Sequence, residues 1–129
     1  MKLATYTAQG VTRTGIIMGD NIIDTGVTGT MIDLIRNWDT LKPSLDAKAA
    51  AGGGVPLSSV KLEAPVQRPG KIWAIGLNYA DHIAESKMPT PERQVWFTKA
   101  QTSVNGPFDG IDIAKGTMTA DYEVELVAI

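Results

Sequence analysis

The sequence predicts an α+β protein in which a small N-terminal domain of strands and helices precedes a second, strand-rich domain. Two groups of strand-like runs indicate this, one in the first 25 residues and one after residue 70, with an amphipathic helical pattern between them. Prolines interrupt the chain between the two groups. We therefore assign residues 1–65 to the first domain and 66–129 to the second, with the boundary near residues 62–70.

The first domain opens with a predicted antiparallel β-meander. Residues 2–7, 12–18 and 21–24 are rich in Thr, Ile, Tyr and Val, as strands usually are. Gln9-Gly10 and Gly19-Asp20-Asn21 supply the turns between them.

Two helices are expected after the meander. Thr30 is suited to cap a helix over residues 31–38, whose apolar residues recur at helical spacing, and a second helix is expected over residues 43–51. The glycines at 52–54 end the second helix, and an extended connection follows through residues 60–62.

The second domain is expected to begin with a buried strand over residues 71–75. A turn then leads into a helix over about residues 78–87, and residues 94–99 predict another strand. We expect Trp73 and Phe97, one on each strand, to be core residues.

Composition excludes several classes of function. The 129 residues carry a net charge of -2 with Lys and Arg scattered, so the chain lacks the basic surface that nucleic acid or an anionic membrane requires. Cysteine is absent, which excludes thiolate catalysis, disulfides and Cys-ligated zinc. The start of the chain lacks an apolar signal sequence and no run reaches membrane-spanning length. A cytoplasmic protein that binds a small molecule or another protein is therefore the default expectation.

His82 is the single histidine and the candidate general base. On the predicted helix Tyr79, His82 and Glu85 stand three residues apart on one face, so the Glu85 carboxylate can orient the imidazole. A solvent-exposed helix face with an incidental His–Glu pair fits the same spacing.

Glu123 and Glu125 are candidate metal ligands. Residues 121–129 predict a final strand, on which both carboxylates point the same way from Cα atoms roughly 6.5–7 Å apart. A hard cation, Mg²⁺ or Mn²⁺, would relieve their repulsion. The alternative is an amphipathic strand with a wet acidic face. Lys99, at the end of its predicted strand, is either a substrate contact or a surface lysine.

Four segments, taken in order, resemble the fumarylacetoacetate hydrolase family. They are Ile75-Gly76-Leu77-Asn78-Tyr79-Ala80-Asp81-His82-Ile83-Ala84-Glu85, Trp96-Phe97-Thr98-Lys99, Ser103-Val104-Asn105-Gly106-Pro107 and Asp121-Tyr122-Glu123-Val124-Glu125-Leu126. The resemblance covers about residues 70–129, while residues 1–65 look like the variable N-terminal domain of bacterial members.

The resemblance implies a fold, a metal and a set of site residues. The implied fold is a mixed β-sandwich or barrel roll, usually a homodimer, that holds Mg²⁺ or Mn²⁺ between Glu123, Glu125 and a further acidic residue expected beyond residue 129. His82 and Glu85 match the family's His–Glu dyad on a short lid-like helix, and Tyr79 and Lys99 match positions near the substrate.

The resemblance also implies the chemistry. It implies first that the protein is a divalent-metal-dependent hydrolase. Such an enzyme would cleave a carbon–carbon bond in an acylpyruvate or related diketo acid through a metal-stabilised enolate. Decarboxylation, isomerisation or hydration of 2-oxo acids, of the oxaloacetate or 2-hydroxyhepta-2,4-diene-1,7-dioate type, needs the same stabilisation and remains the alternative.

Family members continue past residue 129, and an apolar final strand would have an unpaired edge. We therefore expect the sequence to be the front part of a longer protein. The rival hypothesis is a noncatalytic module in which the N-terminal domain mediates assembly.

Overall fold

The computed structural model describes residues 1–113 and 116–129. This part of the chain forms seven strands and three α-helices. In order they are β1 (Lys2–Ala8), β2 (Val11–Met18), β3 (Asn21–Asp24), α1 (Met31–Arg36), α2 (Trp38–Ala51), β4 (Val55–Pro56), β5 (Lys61–Glu63), β6 (Ile72–Gly76), α3 (Ala80–Ser86) and β7 (Val95–Lys99). Short 3-10 helices lie at Leu57–Ser59 and Gln101–Ser103. None of the helices described is long and apolar enough to cross a membrane.

The mixture of helices and antiparallel strands confirms the predicted α+β secondary structure of the chain. The β-meander is confirmed strand by strand. β1 pairs with β2 along its whole length, and β2 pairs with β3. Gln9 and Gly10 join β1 to β2 with φ angles of 51° and 76°, the positive values that a two-residue hairpin turn needs. β5 pairs with the other edge of β1 and β4 with β3, which gives the order β4-β3-β2-β1-β5. The division into two domains stays a prediction.

The core lies on both faces of this five-stranded sheet, because neighbouring residues of a strand point to opposite sides. One face packs against both helices through Ile16, Ile23, Leu34 of α1 and Leu45 of α2. The opposite face holds a second cluster, Ala4, Tyr6 and Ile22, against which Leu57, Val60 and Leu62 pack. The sheet is therefore closed on both sides by its own half of the chain.

The helices differ from the prediction at their shared boundary. α1 does not extend to residue 38, and α2 begins at Trp38, not at Pro43, which lies inside it. The reason is Asn37, whose side-chain amide donates to the Asp33 carbonyl at 2.8 Å and whose backbone leaves the helical region. The Asn37 carbonyl accepts from Leu41 at 2.9 Å and so starts α2 immediately. Pro43 costs α2 one backbone hydrogen bond.

The second sheet contains β6 and β7, which pair antiparallel from Ile72–Lys99 to Gly76–Val95. Both strands confirm the predicted positions within one or two residues. The predicted burial is wrong, because Trp73 is 58% exposed and Phe97 is 43% exposed. A two-stranded sheet has two faces to cover, and within the described chain no helix or second sheet packs extensively against either of them.

The final strand predicted over residues 121–129 is also wrong. These residues have no regular secondary structure and are exposed throughout. A strand requires a neighbouring backbone for its hydrogen bonds, and no described residue pairs with this segment. Alternating apolar residues alone do not create a strand.

We expect the cap of α1 to contribute measurably to stability. The Thr30 side chain accepts from the Asp33 N–H, and the Asp33 carboxylate accepts from the Thr30 N–H at 2.8 Å. Thr30→Ala should lower the free energy of unfolding by about 1 kcal/mol in urea titrations. Thr28→Ala, an exposed threonine two residues earlier, is the matched control. Equal unfolding midpoints for the two variants would contradict this assignment.

The cap also predicts a pH dependence. Hydrogen bonds from Thr30, first the backbone and then the side chain, lower the pKa of Asp33 below 3.8 in the folded chain. The stabilisation is complete above pH 3.8 and is lost as the pH falls through the lower pKa of the folded state. Asp33→Asn should therefore reduce the loss of stability on acidification, measured as unfolding midpoints at several pH values. A profile that keeps its full acid slope would exclude Asp33 as the source.

Candidate functional site

The helix α3 carries the candidate base and its partner. It begins after Tyr79, whose backbone is extended, and it ends at Lys87, which adopts a left-handed φ of 54°. The helix lies inside the predicted range of residues 78–87. His82 and Glu85 both occupy exposed positions, and in the described parts of the chain no hydrogen bond joins them. The helical spacing is present and the orienting contact is not formed, so the dyad stays a prediction.

One hydrogen bond brings two of the predicted segments together. The Tyr79 hydroxyl donates to the backbone carbonyl of Val124, 45 residues further along the chain. Val124 lies between Glu123 and Glu125. The beginning of α3 is therefore joined directly to the segment that carries the candidate metal ligands.

The two glutamates lie on the irregular, exposed segment that replaces the predicted strand. Neither carboxylate forms an ion pair or a hydrogen bond with another described residue. Oxygen-only donors suit Mg²⁺ and Mn²⁺, and Mg²⁺ is commonly held by one or two carboxylates with substrate and water as further ligands. The donor chemistry therefore fits such an ion. Within residues 1–113 and 116–129, no three His, Asp or Glu side chains form a group that could hold a metal, so the assignment of Glu123 and Glu125 as metal ligands stays a prediction.

Lys99 is the last residue of β7 and lies opposite Ile72 of β6. Its ammonium nitrogen lies 5.8 Å from the centre of the Phe97 ring, within the range of a cation–π contact. Gln101, two residues later, donates to the Gly70 carbonyl at 3.0 Å and fastens this end of β7 to the chain before β6. In the described structure no polar contact joins Lys99 to Tyr79, to α3 or to the glutamates.

Two features were missed by reasoning from the sequence. The role of Val124 rests on a main-chain carbonyl, which every residue carries, so no side-chain pattern signals it. The other feature is a cleft of about 480 Å³ between β1, β2, the start of α1 and residues 65–68. Arg13, Arg68 and several threonines line this cleft, and none of the six predicted site residues does.

Comparison with known proteins assigns the second half of the chain. Residues 71–129 match the family described as fumarylacetoacetate (FAA) hydrolase C-terminal. That stretch contains α3, Lys99 and both candidate metal ligands. The chain belongs to the fumarylacetoacetate hydrolase family.

Individual relatives extend the similarity beyond the residues that match the fumarylacetoacetate hydrolase family. A 2,4-didehydro-3-deoxy-L-rhamnonate hydrolase of Sphingomonas is 37% identical over 128 residues, covering 98% of this chain and 43% of the relative. The mitochondrial oxaloacetate tautomerase of Rattus norvegicus is 34% identical over 116 residues, covering 89% of this chain and 37% of the relative.

A solved structure is similar in fold as well as in sequence. It is the crystal structure of maleylpyruvate hydrolase from Sphingobium in complex with manganese (II) ion and pyruvate, with a TM-score of 0.67 and 32% identity. The match covers 86% of this chain and 41% of that chain. The chain spans about 45% of the length of the first curated relatives that it matches.

The Tyr79–Val124 contact predicts a protease phenotype. Tyr79→Phe keeps the ring and removes the hydroxyl, so the segment with the glutamates loses its hydrogen bond to the start of α3. A protease specific for glutamate should then cut after Glu123 and Glu125 about two- to tenfold faster, because one net hydrogen bond contributes about 0.5–1.5 kcal/mol. Mass spectrometry of a timed digest measures this rate.

Tyr122→Phe is the matched control, since its ring is 86% exposed and its hydroxyl has no described partner. Cleavage at the same rate in both variants would show that the Tyr79 hydroxyl does not hold this segment.

Proposed function

We propose that the complete protein is a divalent-metal-dependent hydrolase that cleaves a carbon–carbon bond in an acylpyruvate or a related diketo acid. The observation that carries this proposal is the Tyr79–Val124 hydrogen bond, because it joins the helix of the candidate base to the candidate metal ligands. Membership of the fumarylacetoacetate hydrolase family supports it. So does the similarity to a maleylpyruvate hydrolase that was solved with manganese and pyruvate.

In this proposal Glu123 and Glu125 hold Mg²⁺ or Mn²⁺ through their carboxylate oxygens, together with a third acidic residue from a later part of the polypeptide. The ion, when bound, supplies Lewis-acid polarisation of the carbonyl oxygens of the substrate. Neither glutamate is engaged by another described residue, so both carboxylates are available without breaking an existing contact.

The proposed base is His82. One ring nitrogen takes a proton from water. The N–H of the other ring nitrogen donates a hydrogen bond to the Glu85 carboxylate, which fixes the orientation of the imidazole. Hydroxide adds to the carbonyl carbon distal to the substrate carboxylate, and the carbon–carbon bond then breaks. The electron pair leaves as an enolate that takes up a proton, which yields a carboxylic acid and a 2-oxo acid. Catalytic contacts often tighten only in the substrate complex, and the exposed α3 leaves room for that change.

Tyr79 and Lys99 are the proposed substrate contacts. An ammonium such as that of Lys99 pairs well with the carboxylate of a 2-oxo acid. Tyr79 immediately precedes α3 and contacts Val124, where a substrate bound between the helix and the glutamates would lie. We propose no nucleic-acid or membrane partner.

Keto–enol isomerisation is the second candidate, and the 34% identity to an oxaloacetate tautomerase favours it specifically. The same residues serve both reactions, since each passes through an enolate and the difference is whether water attacks. An isomerase would interconvert the keto and enol forms of oxaloacetate without releasing a second acid. Decarboxylation would release carbon dioxide, and hydration would add water without breaking a carbon–carbon bond. Product analysis therefore distinguishes all four reactions.

We further propose that β6 and β7 begin the mixed β-sandwich or barrel roll of the family, in a cytoplasmic homodimer. The exposed aromatic residues support this, because Trp73 and Trp96 are 58% and 56% exposed on a sheet of only two strands. Apolar surface of this kind is normally covered by further chain or by a partner.

The metal assignment predicts a loss of binding on neutralising either ligand. Glu123→Gln and Glu125→Gln should each weaken Mn²⁺ binding to the complete gene product by more than about tenfold, since even outer partners of a metal contribute that much. Isothermal titration calorimetry measures the affinity. Glu92→Gln, an exposed glutamate outside the segment, should leave it unchanged. Unchanged affinity in both ligand variants would remove these residues from the site.

The base assignment predicts a loss of turnover without a loss of metal. His82→Ala should lower hydrolysis of an acylpyruvate by about 10²- to 10⁴-fold, the usual contribution of a general base. Mn²⁺ affinity should stay nearly constant, because His82 is not a proposed ligand. Asp81→Asn, the neighbouring residue on α3, is the control. Retained hydrolysis in His82→Ala would exclude this histidine from the mechanism.

A further inference from the structure

Lys61 of β5 joins the five-stranded sheet to a loop in the second half of the chain. Its ammonium nitrogen lies 3.0 Å from Oδ1 and 3.1 Å from Oδ2 of Asp109, and 3.2 Å from Oε2 of Glu63. The hydrogen bond to Asp109, followed by that to Glu63, raises the pKa of Lys61. A single ammonium therefore connects residues that are 48 positions apart.

The sheet holds its end of this bridge in place. Oε1 of Glu63 accepts a hydrogen bond from the Thr7 hydroxyl at 2.7 Å, and Thr7 in turn contacts the Thr12 hydroxyl at 2.8 Å. Thr7 is also the strand partner of Lys61 in the pairing of β1 with β5. Side chains from three neighbouring strands thus position the ammonium before it meets Asp109.

The loop at residues 105–110 is equally well defined. The Asn105 amide donates to the carbonyls of Asp109 and Gly110 at 3.3 and 3.2 Å, and the Asp109 N–H donates to the Gly106 carbonyl at 3.2 Å. The Asp109 carboxylate lies so close to Gly106 that a Cβ there would overlap it. Phe108 borders an open cleft with residues 57–62 of the N-terminal half and is 84% exposed. An exposed ion pair contributes little when both partners are flexible, whereas here both are held.

We propose that Lys61 is a positioning residue that fixes the loop at residues 105–110, and through it the Lys99 end of β7, to the five-stranded sheet. Lys99 precedes the loop by six residues, and Gln101 between them is already fastened to Gly70. A displacement of the loop would therefore shift Lys99, because the stretch of chain between them is short and constrained. The N-terminal sheet in this way influences substrate affinity without touching the substrate, and this last step rests on the proposed function of Lys99.

Hydrogen exchange tests the bridge itself. In Lys61→Met, amides of residues 105–113 should exchange about two- to fivefold faster, the range expected for loss of one surface ion pair. Lys42→Met is the matched control, because it removes an ion pair of similar exposure with Asp46 on α2. Lys61→Arg should restore slow exchange, and so should Lys61→Asp combined with Asp109→Lys. Equal exchange in the Lys61→Met and Lys42→Met variants would overturn the bridge.

Kinetics of the complete protein test the positioning role. Lys61→Met should raise KM for the 2-oxo acid substrate and leave kcat unchanged, while Lys42→Met changes neither. Faster exchange with an unchanged KM would overturn the effect on Lys99 and leave the bridge established. The exchange measurement needs no substrate, so a failure of the proposed function would be distinguishable from a failure of the bridge.

Discussion

The hydrogen bond from the Tyr79 hydroxyl to the Val124 carbonyl is the contact on which the candidate site depends. The segment of residues 119–129 has no strand partner in the described structure, and its apolar side chains are exposed. Among the described residues, one hydrogen bond links the segment that carries Glu123 and Glu125 to the start of α3. A single hydrogen bond contributes about 1 kcal/mol net, which is enough to bias this segment and too little to fix it. A cation and a substrate would supply the remaining interactions.

The two halves of the chain are stabilised in different ways. The five-stranded sheet has apolar clusters on both faces, with Ile16, Ile22, Leu34 and Leu45 almost fully buried. The second half contains the paired strands β6 and β7 and individual polar contacts, among them those of Lys61 with Asp109 and of Gln101 with Gly70. Burial of apolar area is the dominant favourable term in folding. The apolar core therefore lies in the first half, and the candidate site residues lie on the less buried half.

The sequence predicted those features that depend on neighbouring residues. The turn at Gln9-Gly10, the cap at Thr30 and the helical spacing of His82 and Glu85 are all local, and the structure has each of them. Most features that were wrong or missed depend on distant chain, and the helix boundary at Asn37 is the local exception. The boundary at Asn37 follows from its own side-chain hydrogen bond, which competes with helical periodicity. The burial of Trp73 and a strand at residues 121–129 both require a packing or pairing partner, which no local pattern can supply.

We propose that Glu123 and Glu125 bind one divalent cation beside α3. Anomalous diffraction from a crystal of the complete protein soaked in Mn²⁺ tests it most directly. We expect one manganese peak bonded to both carboxylates, on the side of the segment that faces α3 and His82. Manganese bound only elsewhere, or no anomalous peak in an intact crystal, would contradict it.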